Sequence, residues 1–293
     1  MIQELRAAFA LVLLIPLPSL AKKGPELKRA EWEQLAQSGD ANAQYVLGSL
    51  YENGDGGGVD IKSAINWYKR AASQGQESAQ FSLAMLYLNG RGVPRDSSQA
   101  AALLLKSAEA GNKLAQCNLA ALYEQGTGLK KDHNQAIHWF LAAARQGDSL
   151  ARYNLGIMYL FGSGVPRDID AARKWLELAA NQGYAPAQYK LGWSYATGNE
   201  LQRDLDKARY WLRLAAAQAE PLALYALGVM AATGQGETQD TVAAFAFLTS
   251  SAKHGYQEAL AARNQIATAM TPAQIQRGYE MAKSWDSATK NRQ

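Results

Sequence analysis

The chain repeats itself every 36 residues, six times over, with no insertion or deletion between copies. Alanine opens each copy, at Ala43, Ala79, Ala115, Ala151, Ala187 and Ala223. Counting that alanine as position zero, leucine stands at position 4 (Leu47, Leu83, Leu119, Leu155, Leu191, Leu227). A small residue follows at position 5 (Gly48, Ala84, Ala120, Gly156, Gly192, Gly228). Position 8 is Tyr51, Tyr87, Tyr123, Tyr159 and Tyr195, with Ala231 in the last copy. The spacing 0, 4, 8 places these residues on one stripe of a helix, and the small residue lets a neighbouring helix come close.

Glycine then recurs at Gly54, Gly90, Gly126, Gly162, Gly198 and Gly234, and again two residues later in every copy but the fifth, where Glu200 stands. Glycine just past the last periodic residue stops a helix, because that position favours positive φ. An aspartate closes each turn (Asp60, Asp96, Asp132, Asp168, Asp204, Asp240) and reads as the N-cap of a second helix. Gln99 and Gln135, three residues after their aspartates, have the spacing of a capping box. The second helix carries Ala64, Ala100, Ala136, Ala172, Ala208 and Ala244, then Trp67, Leu103, Trp139, Trp175, Trp211 and Phe247, and ends at a glycine, with Ala219 the exception. Each copy is therefore a helix–turn–helix that cannot bury its apolar stripe alone, so copies must stack. The expected fold is all-α: a right-handed α-solenoid, by analogy with other helical-pair repeats. Its six repeats are 43–78, 79–114, 115–150, 151–186, 187–222 and 223–258.

The pattern A-x(3)-L-G-x(2)-Y-x(2)-G-x-G-V-x(2)-D-x(3)-A-x(2)-W-x(3)-A-A-x(2)-G, matched at nearly every position by the copy at Ala151, resembles the Sel-1-like repeat family, a relative of the tetratricopeptide repeat. The resemblance implies a scaffold or adaptor that binds another protein. It further implies a bacterial protein of the exported kind, working in envelope assembly, signalling or toxin neutralisation. Some cysteine-rich members are linked to β-lactam binding; this chain lacks their paired cysteines.

Residues 1–21 differ from the rest. Arg6 precedes an apolar run from Ala7 to Leu17, too short to span a bilayer comfortably, and Ser19 and Ala21 are small. This reads as a secretory signal cut after Ala21, with Pro16 and Pro18 disfavouring a buried helix. The expected product is soluble and periplasmic, and with no cysteine near the cleavage point it is not a lipoprotein. Residues 22–42 resemble the second half of a repeat and read as a capping helix, with Trp32 over the first stripe. After Glu258 the pattern decays. Residues 259–286 read as C-terminal capping helices, Thr271-Pro272-Ala273-Gln274 forming a start signal, and 287–293 as a polar tail.

No constellation suggests catalysis, so no enzyme is expected. His133 falls in a loop, His138 beside Trp139, and neither has a ligand-spaced partner, so no metal site is expected. Cys117 is the single cysteine and occupies a slot filled elsewhere by Tyr or Phe, as a packed thiol would. The six aspartates are accounted for by capping. Gly54-Asp55-Gly56-Gly57-Gly58 lacks the Gly-Lys-Ser/Thr of a phosphate loop, and no cofactor motif occurs. The formal net charge of +4 is spread thinly, without the basic runs that nucleic-acid binding requires.

Helix geometry points instead to a surface. Positions 3, 6 and 10 lie opposite the 0–4–8 stripe, and first helices line the concave face in tetratricopeptide-like arrays. These positions supply Met85, Asn89, Asn118, Asn154, Ile157, Phe161, Lys190, Trp193 and Thr197, an apolar and amide row with a single charge. The row reads as a groove for a protein partner; the competing reading buries it between successive first helices. Within the first, an envelope adaptor and an immunity protein that sequesters a toxic effector are both open. The rival class is a protein that hydrolyses or binds cell-wall or β-lactam compounds.

Overall fold

The computed structural model describes residues 29–290. The apolar segment 1–21 expected to be a signal, and residues 22–28 of the expected first cap, lie outside the described residues. Among those residues the protein is all-α, with fifteen helices and no strand, built as stacked helix–turn–helix repeats in the manner of an α-solenoid. No described helix is long and apolar enough to cross a membrane.

The chain divides into two compact units, residues 1–148 and 149–293. The first holds α1 (Arg29–Gln37), α2 (Ala41–Asn53), α3 (Ile61–Ser73), α4 (Glu77–Asn89), α5 (Ser97–Glu109), α6 (Lys113–Gln125) and α7 (His133–Arg145). The second holds α8 (Ser149–Phe161), α9 (Ile169–Asn181), α10 (Ala185–Thr197), α11 (Leu205–Ala216), α12 (Pro221–Thr233), α13 (Thr241–Lys253), α14 (Glu258–Ala267) and α15 (Pro272–Lys290). In each unit the even-numbered helices from α2 to α12 are the first helices of the repeats, and the odd-numbered ones from α3 to α13 are the second.

The turn forms as its residues dictate. The glycines that stop the first helices adopt φ between 65° and 80°. All six aspartates cap their second helices by accepting from a first-turn N–H, as Asp168 does from Ala171 at 2.9 Å. Each aspartate's own N–H donates back to the carbonyl at position 8, as in Asp96 to Tyr87 and Asp204 to Tyr195, both 3.0 Å. That bond also alters one expectation. Gln99 and Gln135 supply their backbone N–H to the cap, but the N–H a capping box would return is already committed to the loop. His133 opens α7, rather than lying in a loop, and its Nδ1 pairs with Glu124 at 2.6 Å. The glycine-rich loop of the first repeat lies against Arg29, whose guanidinium sits 3.8 Å over the Tyr51 ring.

Within a repeat the two helices meet at position 5. A Cβ added at Gly156 would lie 2.7 Å from Leu176 Cγ, and one at Gly192 or Gly228 would meet Leu212 or Leu248 equally closely. At Gly48 the neighbour is Tyr68. These partners stand at position 25, immediately after the tryptophan slot. The series Tyr68, Leu104, Phe140, Leu176, Leu212 and Leu248 is almost wholly buried. Full burial of side chains this size contributes roughly 1.5–3 kcal/mol each. The tryptophans at position 24 are only partly buried, apart from Trp211.

Between repeats the contacts include buried amides. Gln188 donates to the Ala180 carbonyl of the preceding second helix at 3.0 Å. Its Oε1 accepts from Gln218, which also donates to the Gly183 carbonyl. Gln116 and Gln146 repeat the arrangement in the first unit, on Ala108 and Gly111. First helices in the first unit are capped by Asp40, Gln76 and Asn112.

The ends are closed as well. Ala36 of α1 is buried with Ala43 and Leu47, and Trp32 packs on them. At the other end Thr271 and Gln274 form a reciprocal capping box at the start of α15. That helix runs to Lys290, past Trp285 where the sequence alone suggests an end, so four residues of the expected tail are helical. It docks through buried Asp286, which accepts from Ser250 and pairs with Lys253 of α13 and with His254 just past its end. Although burial opposes ionisation, hydrogen bonds from Lys253, Ser250 and His254 hold the Asp286 carboxyl below its ordinary range.

Two stability effects are expected. Gly156→Val should cost about 2–3 kcal/mol, by forcing a branched side chain into Leu176, and lower the denaturation midpoint without changing its slope. Ala219 is the single non-glycine residue at positive φ (61°) among the described residues, in the slot where other repeats have glycine. Ala219→Gly should therefore raise stability, by about 1 kcal/mol, despite adding freedom to the unfolded chain.

Candidate partner-binding face

The structure sorts the nine face residues by burial. Met85, Asn118, Asn154, Ile157 and Lys190 are buried; Trp193 and Thr197 are half-buried; Asn89 and Phe161 are exposed. For Asn118, Asn154 and Lys190 the reason lies at position 3; Met85 and Ile157, at position 6, are drawn into the core beside them. Ser82, Asn118, Asn154, Lys190 and Ala226 all occupy position 3 and all are buried. In the second unit the first helices α10 and α12 pack side by side. Position 10 stays outside, and it keeps Asn89 and Phe161 accessible. The accessible remainder is thus Asn89 in the first unit, and Phe161, Trp193 and Thr197 in the second.

The second unit gives the more distinctive arrangement. Phe161, the last residue of α8, is 46% exposed. The Lys190 ammonium lies 5.5 Å from its ring centroid. Lys190 itself is 2% exposed and donates to Glu200 Oε1 at 3.0 Å. Glu200 is the residue that replaces the second turn glycine in the fifth repeat, and Lys190 the cation at position 3, where the other repeats have uncharged residues. The two departures are one feature: an ion pair between a buried lysine and a partly buried glutamate that ties the turn after α10 to the helix itself. The second carboxylate oxygen, Oε2, is buried and makes no hydrogen bond within the protein. Trp193, one turn from Lys190 on α10, has its ring 6.3 Å from that of Tyr189, and its carbonyl accepts from Thr197 at 2.9 Å. Sequence reasoning placed Lys190 at the surface because periodicity records only which stripe faces the paired helix. The signal that could have corrected it was the simultaneous loss of glycine at Glu200.

Of the groups set aside at the sequence level, the thiol is packed into the core, whereas His138 stays exposed. Cys117 is free and buried, and burial with the neighbouring Asp148 carboxylate pushes its thiol well above the ordinary range. No set of three or more His, Cys, Asp or Glu side chains that could hold a metal gathers among the described residues.

The sequence matches the Sel1 repeat family model six times, at residues 41–76, 77–112, 113–148, 149–184, 185–220 and 221–256. This is the same period as above, framed two residues earlier. No curated protein sequence matches the chain. Among solved structures, a protective antigen of uropathogenic Escherichia coli strains displaying an SLR fold is 32% identical, with a TM-score of 0.78. That match covers 88% of this chain and 56% of the antigen, so the chain spans little more than half of its length. A Sel1 repeat protein from Oxalobacter formigenes is 33% identical over 81% of this chain and 69% of its own, with a TM-score of 0.74.

The ion pair yields a test of its own. Glu200→Gly strands a buried ammonium and should cost about 3 kcal/mol. Adding Lys190→Ala, which installs the residues the sixth repeat has at both positions (Ala226 and Gly236), should restore most of the loss. Denaturant melts of the two single variants and the double variant close the cycle.

Proposed function

The chain belongs to the Sel1 repeat family, and we propose that it is a non-enzymatic scaffold that binds a partner protein through the first-helix face of residues 149–293. The observation that carries this reading is Phe161. A large ring stands half in water at a helix end, and a buried, ion-paired lysine is aimed at it. A solvated helix end needs neither. Aromatic anchors on a rigid, pre-ordered support are what protein interfaces concentrate their binding energy on. Trp193 and Thr197 extend the anchor along α10, and Asn89 offers a separate accessible amide in the first unit.

The scaffold reading is favoured over a hydrolase because the polar groups of the face are tied up in packing. Lys190 is committed to Glu200, and Asn118 donates to the Leu114 carbonyl. None of these pairs a nucleophile with a base. Export to the periplasm is part of the same proposal, resting on the apolar segment 7–17 and the small residues at 19 and 21. Within it the protein is an adaptor of the cell envelope or an immunity protein against a secreted toxin.

The test is an affinity capture from the envelope fraction with the wild type beside the Phe161→Ala/Trp193→Ala variant. One protein held by the wild type and released at least about tenfold more readily by the variant is the expected result. A toxin among the captured proteins selects the immunity role. Equal capture by both, with unchanged melting, removes this face from the function.

A further inference from the structure

Position 16, just before each capping aspartate, is basic in four successive repeats: Arg95, Lys131, Arg167 and Arg203. All four side chains are exposed. In the second unit the position has a structural task. The Arg167 Nε–H donates to the Leu160 carbonyl at 3.1 Å, and the Arg203 Nε–H donates to the Ala196 carbonyl at 3.3 Å. Both carbonyls stand at position 9, in the last turn of a first helix, where carbonyls lack helical partners and the dipole is negative.

That task does not need a charge. In the sixth repeat position 16 is Gln239, whose amide donates to the equivalent Ala232 carbonyl at 2.8 Å. An uncharged side chain thus closes the helix end as an arginine does. Nor is the charge used inside the protein. Neither Arg167 nor Arg203 forms an ion pair among the described residues; Arg203 gives one terminal nitrogen to the Gln235 amide oxygen at 3.3 Å, and Arg167 gives neither of its own. The carboxylates next to them in the chain are committed to their own helices. Asp168 accepts from the Ala171 N–H, and Asp204 accepts from the Lys207 N–H and pairs with its ammonium.

Each guanidinium is therefore held to the backbone by its inner nitrogen while the side chain stays exposed. A group ordered in advance loses less freedom on meeting a carboxylate than a loose surface cation does, and its planar fork suits two parallel hydrogen bonds. The carbonyl that holds Arg167 belongs to Leu160, the residue before Phe161, so the fixed cation borders the exposed ring. We propose that Arg167 and Arg203 receive carboxylates of an acidic segment of the partner protein, beside the anchor at Phe161. A carboxylate-bearing peptide fits better than a nucleic acid. A phosphate backbone carries a charge about every 3.4 Å along a strand, whereas helices pack about 8–10 Å apart, so one cation per repeat is too sparse for it. This deepens the scaffold reading and rests on it for the occupant, but the receptor itself can be tested without the partner.

The experiment titrates the full chain, carrying isotope-labelled arginine, with hexaglutamate, and separately with hexaglutamine and with an oligothymidylate of equal charge. The Arg167 and Arg203 Nε–H signals are identified by their loss in Arg167→Gln and Arg203→Gln. Expected are saturable shifts of both with hexaglutamate, in the millimolar range at low salt and weaker as salt is raised. Arg167→Gln/Arg203→Gln should melt at the wild-type temperature, because glutamine closes the helix end as Gln239 does, yet bind hexaglutamate at least about tenfold more weakly. A lowered melting temperature in that variant would show that the charge serves the helix end and would overturn the argument. So would the absence of a saturable shift, an equal shift with hexaglutamine, tighter binding of the oligothymidylate, or unchanged binding by the variant. A partner captured through Phe161 and Trp193 but held equally by Arg167→Gln/Arg203→Gln would sink the carboxylate receptor and leave the scaffold reading standing. An intact hexaglutamate response with no partner lost on Phe161→Ala/Trp193→Ala would do the reverse.

Discussion

The distance between the two helices of a repeat is the constraint on which the rest depends. It is set by a small residue at position 5 facing a large one at position 25. Where glycine stands in the first helix, Leu176, Leu212 or Leu248 lies so close that even a methyl group would have to displace it. Where alanine stands, as at Ala84 and Ala120, both it and the facing Leu104 or Phe140 are still fully buried. Fixing this gap fixes the path of the turn. A first helix that ends at a left-handed glycine, followed by an aspartate that must cap the next helix and also return its N–H to position 8, leaves the loop little choice of length. That is why six copies keep one period without an insertion.

Stacking then follows from what a helix pair leaves unburied. One pair covers only its inner stripe, so the outer stripe waits for the next repeat. The apolar part of that contact is unspecific, since alanine and leucine rows can slide. The buried glutamines supply register. Gln188 reaches a carbonyl at the end of the previous second helix, and Gln218 bridges Gln188 to the glycine that ends that helix. A buried amide that loses its partner carries the full desolvation penalty, so a slipped register is penalised at each repeat where Gln44, Gln80, Gln116 or Gln188 stands.

Much of this was legible in the sequence because the chain supplies its own comparison. Six aligned copies expose the turn glycines, the aspartate caps and the close-approach position, each with a local physical cause. The cap of the last helix was legible for the same reason, since Thr271, Pro272 and Gln274 act within one turn. What was not legible depends on neighbours that periodicity does not encode. Tyr68 and its equivalents at position 25 were passed over in favour of the more conspicuous tryptophans beside them. Position 3 looks solvent-facing on an isolated helix, but in the array Ser82, Asn118, Asn154, Lys190 and Ala226 are all buried there. The caps Asp40, Gln76 and Asn112 vary in identity between copies, so a search for one recurring residue type does not find them.

The fifth repeat is where the chain departs most from its own rule, and its departures share a sign. Lys190 with Glu200 puts an ion pair where the flanking repeats have Asn154 or Ala226 and a glycine, and Ala219 holds a backbone angle that glycine takes freely. Each is destabilising or at best neutral relative to the residue the sister copies use. In a repeat array the energetics are local, so such residues could revert one at a time without disturbing the other copies. A chain selected only to stack would have no use for them. Their concentration in a single repeat, whose first helix α10 also carries Trp193, fits the proposal that this repeat serves the partner face as well as the stack.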